Sequence, residues 1–214
     1  MKISHKFRPG SKEDGEVWFM SDIHYGHFNA IRHGNRPFKT LEEMNREIEK
    51  ELREKLSPED TLFDLGDMFW KKDRDGVRDF LTHLIPPKFY KIIGNHDAES
   101  LWVKDPHISP VPKAVGDIFD LHVITPEGKD WMLTLSHYPF LSWNRRHHGS
   151  VNLHGHCHGG VDEVNNSSHE LRIDLGWDGE LAKQEGSFLI PWKTIEKKLE
   201  EIINTRPENK SLID

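Results

Sequence analysis

The sequence predicts an α/β fold with two sheets, and three observations lead there. Strand-like and helix-like runs alternate between positions 16 and 93, an order that pairs strands in parallel under a layer of helices. Each of those strand-like runs ends on a polar turn, at Asp22, Asp67 or Asn95-His96, where open α/β sheets place their sites. After Pro112 the strand-like runs follow one another without long helical segments, which predicts a second, more antiparallel sheet.

Residues 16–21, Glu-Val-Trp-Phe-Met-Ser, are β-rich and deliver Asp22. A short helix is expected at 27–33, stopped by Gly34, Asn35 and the Arg36-Pro37 pair. Thr40 and Glu43 have capping-box spacing, and Leu41, Met44, Ile48, Leu52 and Leu56 then share one helical face. Strands follow at 61–65 and 89–93, separated by an amphipathic helix carrying Val77, Phe80, Leu81 and Leu84. Further strands are expected at 116–125, 130–136, 151–154 and 170–175, with a hairpin turn at Glu127-Gly128-Lys129. Ile195, Leu199, Ile202 and Ile203 make a last helix after Pro191.

With 214 residues the expected organisation is a single domain over 1–214. Its core spans about 17–203, with a polar N-terminal extension at 1–14 and a tail at 205–214. The net charge of −7 disfavours a broad basic face for duplex binding. Cys157 is the one cysteine, so no internal disulfide forms, and a reducing, cytoplasmic setting is expected. No apolar run approaches the length of a membrane span.

Fifteen histidines is a high count. His5, His33, His83, His107, His122 and His169 have no partner at ligand spacing and are read as scattered surface or core residues. Others cluster in short motifs: Asp22-Ile23-His24, Gly66-Asp67, Gly94-Asn95-His96-Asp97, Ser136-His137-Tyr138-Pro139 and Gly155-His156-Cys157-His158. Together these supply two aspartates, four histidines and an asparagine as candidate metal ligands, with His96 left free for proton transfer. In extended backbone, residues i and i+2 share a face. Asp22 and His24, and likewise His156 and His158, are therefore expected to face one ion, with Ile23 and Cys157 turned away. Gly66, Gly94 and Gly155 each precede a candidate ligand, as a sharp turn or close backbone approach requires. Carboxylate, imidazole and amide oxygen suit Mn, Fe, Zn, Co or Ni, and the lack of thiolates argues against a structural zinc site.

Five such motifs in order resemble those of the calcineurin-like metallophosphoesterase superfamily, closest to its small phage- and bacterial-type enzymes. The matching segments run from Ser21-Asp22-Ile23-His24-Tyr25-Gly26-His27 to Leu153-His154-Gly155-His156-Cys157-His158-Gly159. The resemblance implies a two-sheet mixed β-sandwich flanked by helices, a four-layer αββα arrangement. It implies two divalent cations, Mn expected first, with Asp22, His24 and His158 on one, Asn95, His137 and His156 on the other, and Asp67 between them. The implied reaction is attack on phosphorus by a hydroxide bridging the ions, with His96 acting on the leaving group. Two departures stand out. Many phosphoprotein phosphatases of the superfamily carry an aspartate three residues after the bridging one to orient the catalytic histidine. Trp70 stands there instead, and Asp97 follows the histidine where many relatives have Glu.

A phosphodiesterase acting on small phosphorylated or nucleotide-type substrates is the expected function. A phosphomonoesterase or nucleotide pyrophosphatase is the alternative, and a non-catalytic scaffold or a histidine-rich metal buffer the remoter one. Arg36, His27 and Arg145 are candidate phosphate contacts. The segment 143–148, Trp-Asn-Arg-Arg-His-His, is a candidate rim for a nucleic-acid end, with Trp143 as stacking surface or core residue. His154 is read as a supporting, non-ligand histidine.

Overall fold

Two five-stranded sheets pack face to face in a computed structural model that describes residues 1–70, 74–168 and 170–205. His169 and the tail from 206 onward lie outside the described residues. In chain order the elements are β1 Lys2–Phe7, β2 Val17–Met20, α1 Phe28–His33, α2 Leu41–Lys55, β3 Thr61–Asp64, α3 Arg74–Leu84, β4 Lys88–Ile92, α4 Glu99–Lys104 and β5 Ala114–Gly116. They continue with β6 Ile118–Ile124, β7 Asp130–Ser136, β8 Val151–His154, α5 Asp162–Ser168, β9 Arg172–Asp174, α6 Glu180–Glu185, β10 Ile190–Pro191 and α7 Trp192–Asn204.

The first sheet runs β10-β2-β3-β4-β5, parallel throughout except for the antiparallel edge pair β10–β2. Period-2 alternation splits its side chains between two layers. Val17, Phe19 and Phe63 enter the core between the sheets, while Met20 and Leu62 pack outward with Met44, Ile48 and Leu52 of α2 and Val77 and Phe80 of α3. The α2 capping box is present, with Glu43 N–H donating to Thr40 Oγ1 at 3.2 Å and Thr40 N–H donating to Glu43 Oε2 at 3.3 Å.

The second sheet runs β1-β6-β7-β8-β9. Only β6–β7, the expected hairpin, is antiparallel; β1–β6, β7–β8 and β8–β9 are parallel. The expected antiparallel bias is therefore corrected. The β7–β8 loop and the short helix α5 each bring the chain back to the start of the sheet, so the strands align. Phe119, Leu121, Leu133, Leu135 and Val151 face the first sheet, and Ile195 and Leu199 of α7 close the same core. The expected polar extension at 1–14 is also corrected, since β1 forms an edge strand and Phe7 is 1% exposed in the core. Among the described residues no helix is long and apolar enough to cross a membrane.

Candidate metal centre

Five of the parallel strands end at one edge of the sandwich. Asp22 follows β2, Asp67 follows β3, Asn95 and His96 follow β4, His137 follows β7, and His156 and His158 follow β8. Their functional atoms converge. Asp22 Oδ1 lies 3.9 Å from His24 Nε2 and 3.7 Å from His158 Nε2, and the two imidazole nitrogens are 3.4 Å apart. In a second group, Asn95 Oδ1 lies 3.0 Å from His137 Nε2 and 2.8 Å from His156 Nδ1. Asp67 Oδ2 sits between the groups, 3.9 Å from His24 Nε2 and 3.5 Å from His137 Nε2.

The backbone behind this convergence is not the extended one that spacing suggested. Asp22, His24, Asp67, His156 and His158 all have left-handed φ, between 49° and 69°. They are five of the seven non-glycine residues with positive φ among the described residues. Such a conformation costs on the order of 1–3 kcal/mol per residue and clusters at functional sites. The i,i+2 argument is thus corrected in its reason: Ile23 is buried in the core as expected, but turns rather than a flat strand aim Asp22 and His24 together. Two glycines make the close approach possible. A Cβ on Gly94 would sit 2.1 Å from Asp67 Oδ1, and one on Gly155 would sit 2.2 Å from Asp22 Oδ2.

The residues fit a cation pair on the evidence of their own unmet needs. Asp22 Oδ1, which faces His24 Nε2 and His158 Nε2, is buried without a hydrogen-bond partner, a state native structures avoid. Ligand atoms of Asp22, His24 and His158, and of Asp22, Asp67 and His137, each gather within 4.8 Å. Burial pushes the Asp22 carboxyl up, although His137 and His158 oppose it, and burial holds the His24 imidazole down at about 3. Burial also raises the Asp67 carboxyl, but a hydrogen bond and charge from His137 outweigh it and leave the group below the usual carboxylate range. This is a desolvated, donor-rich cavity in which positive charge is the missing component.

Supporting groups fix the donors. Asp178, in the loop after β9, accepts from Arg36 Nε and Nη2, both at 2.8 Å, and lies 2.7 Å from His158 Nδ1. That leaves His158 Nε2 facing the centre. The His137 ring is set the same way, with Nδ1 2.9 Å from the Leu65 carbonyl. Asp97 Oδ2 accepts the backbone N–H groups of Gly94 at 2.8 Å and Asp67 at 2.9 Å, joining two ligand-bearing turns. The Lys91 ammonium, itself fully buried, bonds Asp97 at 2.6 Å and also pairs with Asp64. Sequence reasoning missed Asp178 and the Lys91–Asp64–Asp97 network. One available signal was Gly176-Trp177-Asp178, a strand end followed by glycine and aspartate much like Leu65-Gly66-Asp67.

His96 lies at the mouth, 39% exposed at its side chain, with Nε2 4.0 Å from Asp67 Oδ2 and its N–H donating to Asp67 Oδ1 at 2.8 Å. Of the candidate phosphate contacts, His27 is beside it, ring centroids 6.3 Å apart. Arg36 is corrected to a buried scaffold residue. It is 6% exposed, and besides Asp178 it donates to the carbonyls of Asp22 at 2.7 Å and Ile23 at 2.9 Å. Arg145 is corrected too. It packs on Met132, near the start of β7 and away from the strand end that carries His137. Trp143 is a core residue, 8% exposed with Nε1 donating to the Ser150 carbonyl at 3.1 Å, and Arg146 is paired with Glu170, so Trp143 is not the stacking surface of the 143–148 segment. His154 is buried against Gly155 and Asn165. Cys157 is a free thiol that burial pushes up to about 11, outside both ligand groups.

The comparisons with known proteins agree with this geometry. The chain is 29% identical over 143 residues to the uncharacterized protein MJ1445 of Methanocaldococcus jannaschii, covering 67% of this chain and 69% of that one. It is 26% identical over 197 residues to the Gene 66 protein of Mycobacterium phage L5, covering 76% of this chain and 86% of that one. The crystal structure of AQ665 from Aquifex aeolicus, a protein of unknown function, shares the fold with a TM-score of 0.60 at 23% identity, covering 86% of this chain and 98% of that one. The family model for calcineurin-like phosphoesterases matches residues 15–175, a span holding every strand-end turn that feeds the centre except the one bearing Asp178, and the chain belongs to that family of metal-dependent phosphoester hydrolases.

Proposed function

We propose that the chain is a phosphodiesterase acting on nucleotide-type substrates in the cytoplasm, with two divalent cations, Mn first among the candidates. In this reading Asp22, His24 and His158 hold one cation, Asn95, His137 and His156 hold the other, and Asp67 serves both. The observation that carries it is the position of Asp67 Oδ2 between the two donor groups. A cation pair in such a donor set supplies Lewis acidity toward phosphate oxygens and lowers the pKa of water. His96 donates a proton from Nε2 to the departing alkoxide oxygen. Its backbone is fixed by Asp67 while its ring reaches solvent and substrate. The diester preference over a monoesterase or pyrophosphatase is supported by the rim. The exposed side chains of Trp70 and Tyr138 lie beside His96 and His156 respectively, an apolar contact for each of two organic substituents on phosphorus. A scaffold role is disfavoured because all seven candidate ligands converge.

The test is hydrolysis of a dinucleotide, a 2′,3′-cyclic nucleotide and a simple monoester, with Mn²⁺ and with chelator. Mn²⁺-dependent cleavage of diesters ahead of the monoester is expected, and Asp67→Ala should abolish it. A His96→Asn chain that retains its bound metal should lose about 10²–10⁴-fold in kcat for an alkoxide leaving group, the usual contribution of a general acid, and much less for nitrophenolate. A monoester cleaved faster than every diester would move the reading to a phosphatase.

A further inference from the structure

Trp70 stands where the phosphoprotein phosphatases of the superfamily place a carboxylate, and its surroundings are unlike those of the other tryptophans. Of seven in the chain, Trp102, Trp131, Trp143 and Trp192 are buried and Trp18 and Trp177 are half-buried; Trp70 alone is exposed, at 45%. A large aromatic face left in water is a feature that calls for an explanation. The ring has two imidazole neighbours. His27 lies parallel to it, centroids 3.7 Å apart with planes inclined by 5°. His96 meets it at 4.9 Å, tilted by 51°. His27 is in turn packed edge-on against His24 at 5.4 Å, so the Trp70–His27 pair is anchored to the metal-ligand cluster. The result is an indole beside His96, backed on one face by His27 and accessible to solvent.

We propose that Trp70, held by His27, is the specificity platform on which a flat ring of the leaving alcohol stacks, so that the preferred leaving group is a nucleoside. The proposal rests on the phosphodiesterase reading for one point only, that the departing oxygen lies on the side of His96. The substituent on that oxygen then extends over the mouth next to His96, which is where the indole lies. A base–aromatic stack tolerates any base, because each presents a π-face, and its removal by alanine substitution weakens binding by about 5- to 150-fold. A carboxylate at this position would orient His96 through a hydrogen bond; the indole instead packs on the imidazole and presents an apolar surface. On the far side of the centre Tyr138, 46% exposed and 4.5 Å from the His156 ring, is the competing platform.

The experiment compares affinities of the Mn²⁺-loaded full chain for adenosine 5′-monophosphate and methyl phosphate by calorimetry, in the wild type and in Trp70→Ala, Trp70→Phe and Tyr138→Ala. The nucleotide should bind more tightly than methyl phosphate. Trp70→Ala should shrink that ratio by about 5- to 150-fold, Trp70→Phe should restore most of it, and Tyr138→Ala should leave it largely intact. In parallel, Trp70→Ala should raise KM for a dinucleotide far more than it lowers kcat. An unchanged ratio in Trp70→Ala, or a collapse in Tyr138→Ala instead, overturns the assignment. A total lack of Mn²⁺-dependent diester hydrolysis defeats the phosphodiesterase reading, while the affinity ratio still decides the role of Trp70.

Discussion

Asp178 shows how much of the centre depends on a residue outside it. Its carboxylate takes two N–H groups of Arg36 and faces His158 Nδ1, so it fixes which nitrogen of His158 looks inward. Loss of such a partner usually weakens metal binding by about 10–100-fold, and Asp178→Asn should do so in a Mn²⁺ titration. The same substitution should change acid stability. Burial raises the Asp178 carboxyl, but the bonds from His158 and Arg36 prevail and hold it at about 2, below the ~3.9 of an unfolded aspartate. Its contribution, on the order of 2–3 kcal/mol, is therefore complete above pH ~4 and fades as pH falls toward 2. Urea unfolding across that range should show a shallower acid limb in Asp178→Asn; an identical limb would remove Asp178 from the account. At this scale six of the seven donors were legible from motifs that hold a glycine before a ligand or two ligands two places apart, while His137 in Ser136-His137-Tyr138-Pro139 was legible only from its order among the other motifs. Asp178 is 20 positions from His158 and 142 from Arg36, and only the fold brings the three together. Arg36 was misjudged as a phosphate contact for the same reason, since a loop arginine shows its buried carboxylate partner only in the fold.

Among the elements, α4, β5, α5, α6 and β10 went unread, and β1 was read as a polar extension. In Lys2–Phe7 only Ile3 and Phe7 are apolar, and every position before Phe7 is exposed or half-buried. Charge and lysine on an edge strand are ordinary protection against further pairing, and they make the segment look like a polar extension. Phe7 is its anchor, 1% exposed and edge-on to Phe63 at 5.0 Å and Tyr90 at 5.5 Å. Those two rings lie on β3 and β4, the strands that deliver Asp67 and Asn95. Phe7→Ala should cost about 3–5 kcal/mol, as for other buried aromatic truncations, seen as a lower urea midpoint with little change in slope. Lys6→Ala on the same strand, which loses only an exposed pair with Asp130, should stay within about 0.5 kcal/mol. Equal effects of the two would mean that β1 is peripheral. The long helices α2 and α3 were legible by contrast, because each turns one apolar face onto one sheet, a pattern that needs no distant partner to be recognised.

For the whole molecule, the sandwich gathers two buried aspartates, an asparagine and four histidines at one edge, with left-handed turns and an unpartnered carboxylate oxygen. Folding without cations must therefore bury Asp22 Oδ1 with no hydrogen-bond partner and desolvate the His24 imidazole, whereas the unfolded chain leaves both in water. Cations that bind the folded state stabilise it by RT ln(1 + [L]/Kd), about 2.7 kcal/mol at a hundredfold excess over Kd. For a chain of this size that corresponds to a rise in Tm of about 5–10 °C. Chelator-treated protein should show that rise on adding Mn²⁺ and lose it on renewed chelation, and Asp67→Ala should show most of it gone because Asp67 Oδ2 lies between the two donor groups. The unfolded chain, with fifteen histidines, also takes up some metal, which reduces the shift without reversing it. A histidine-rich buffer would behave otherwise, binding many ions weakly, with a Tm indifferent to residue 67. A Tm that does not move with Mn²⁺ in the wild-type chain would show that the strained turns are not there to hold metal.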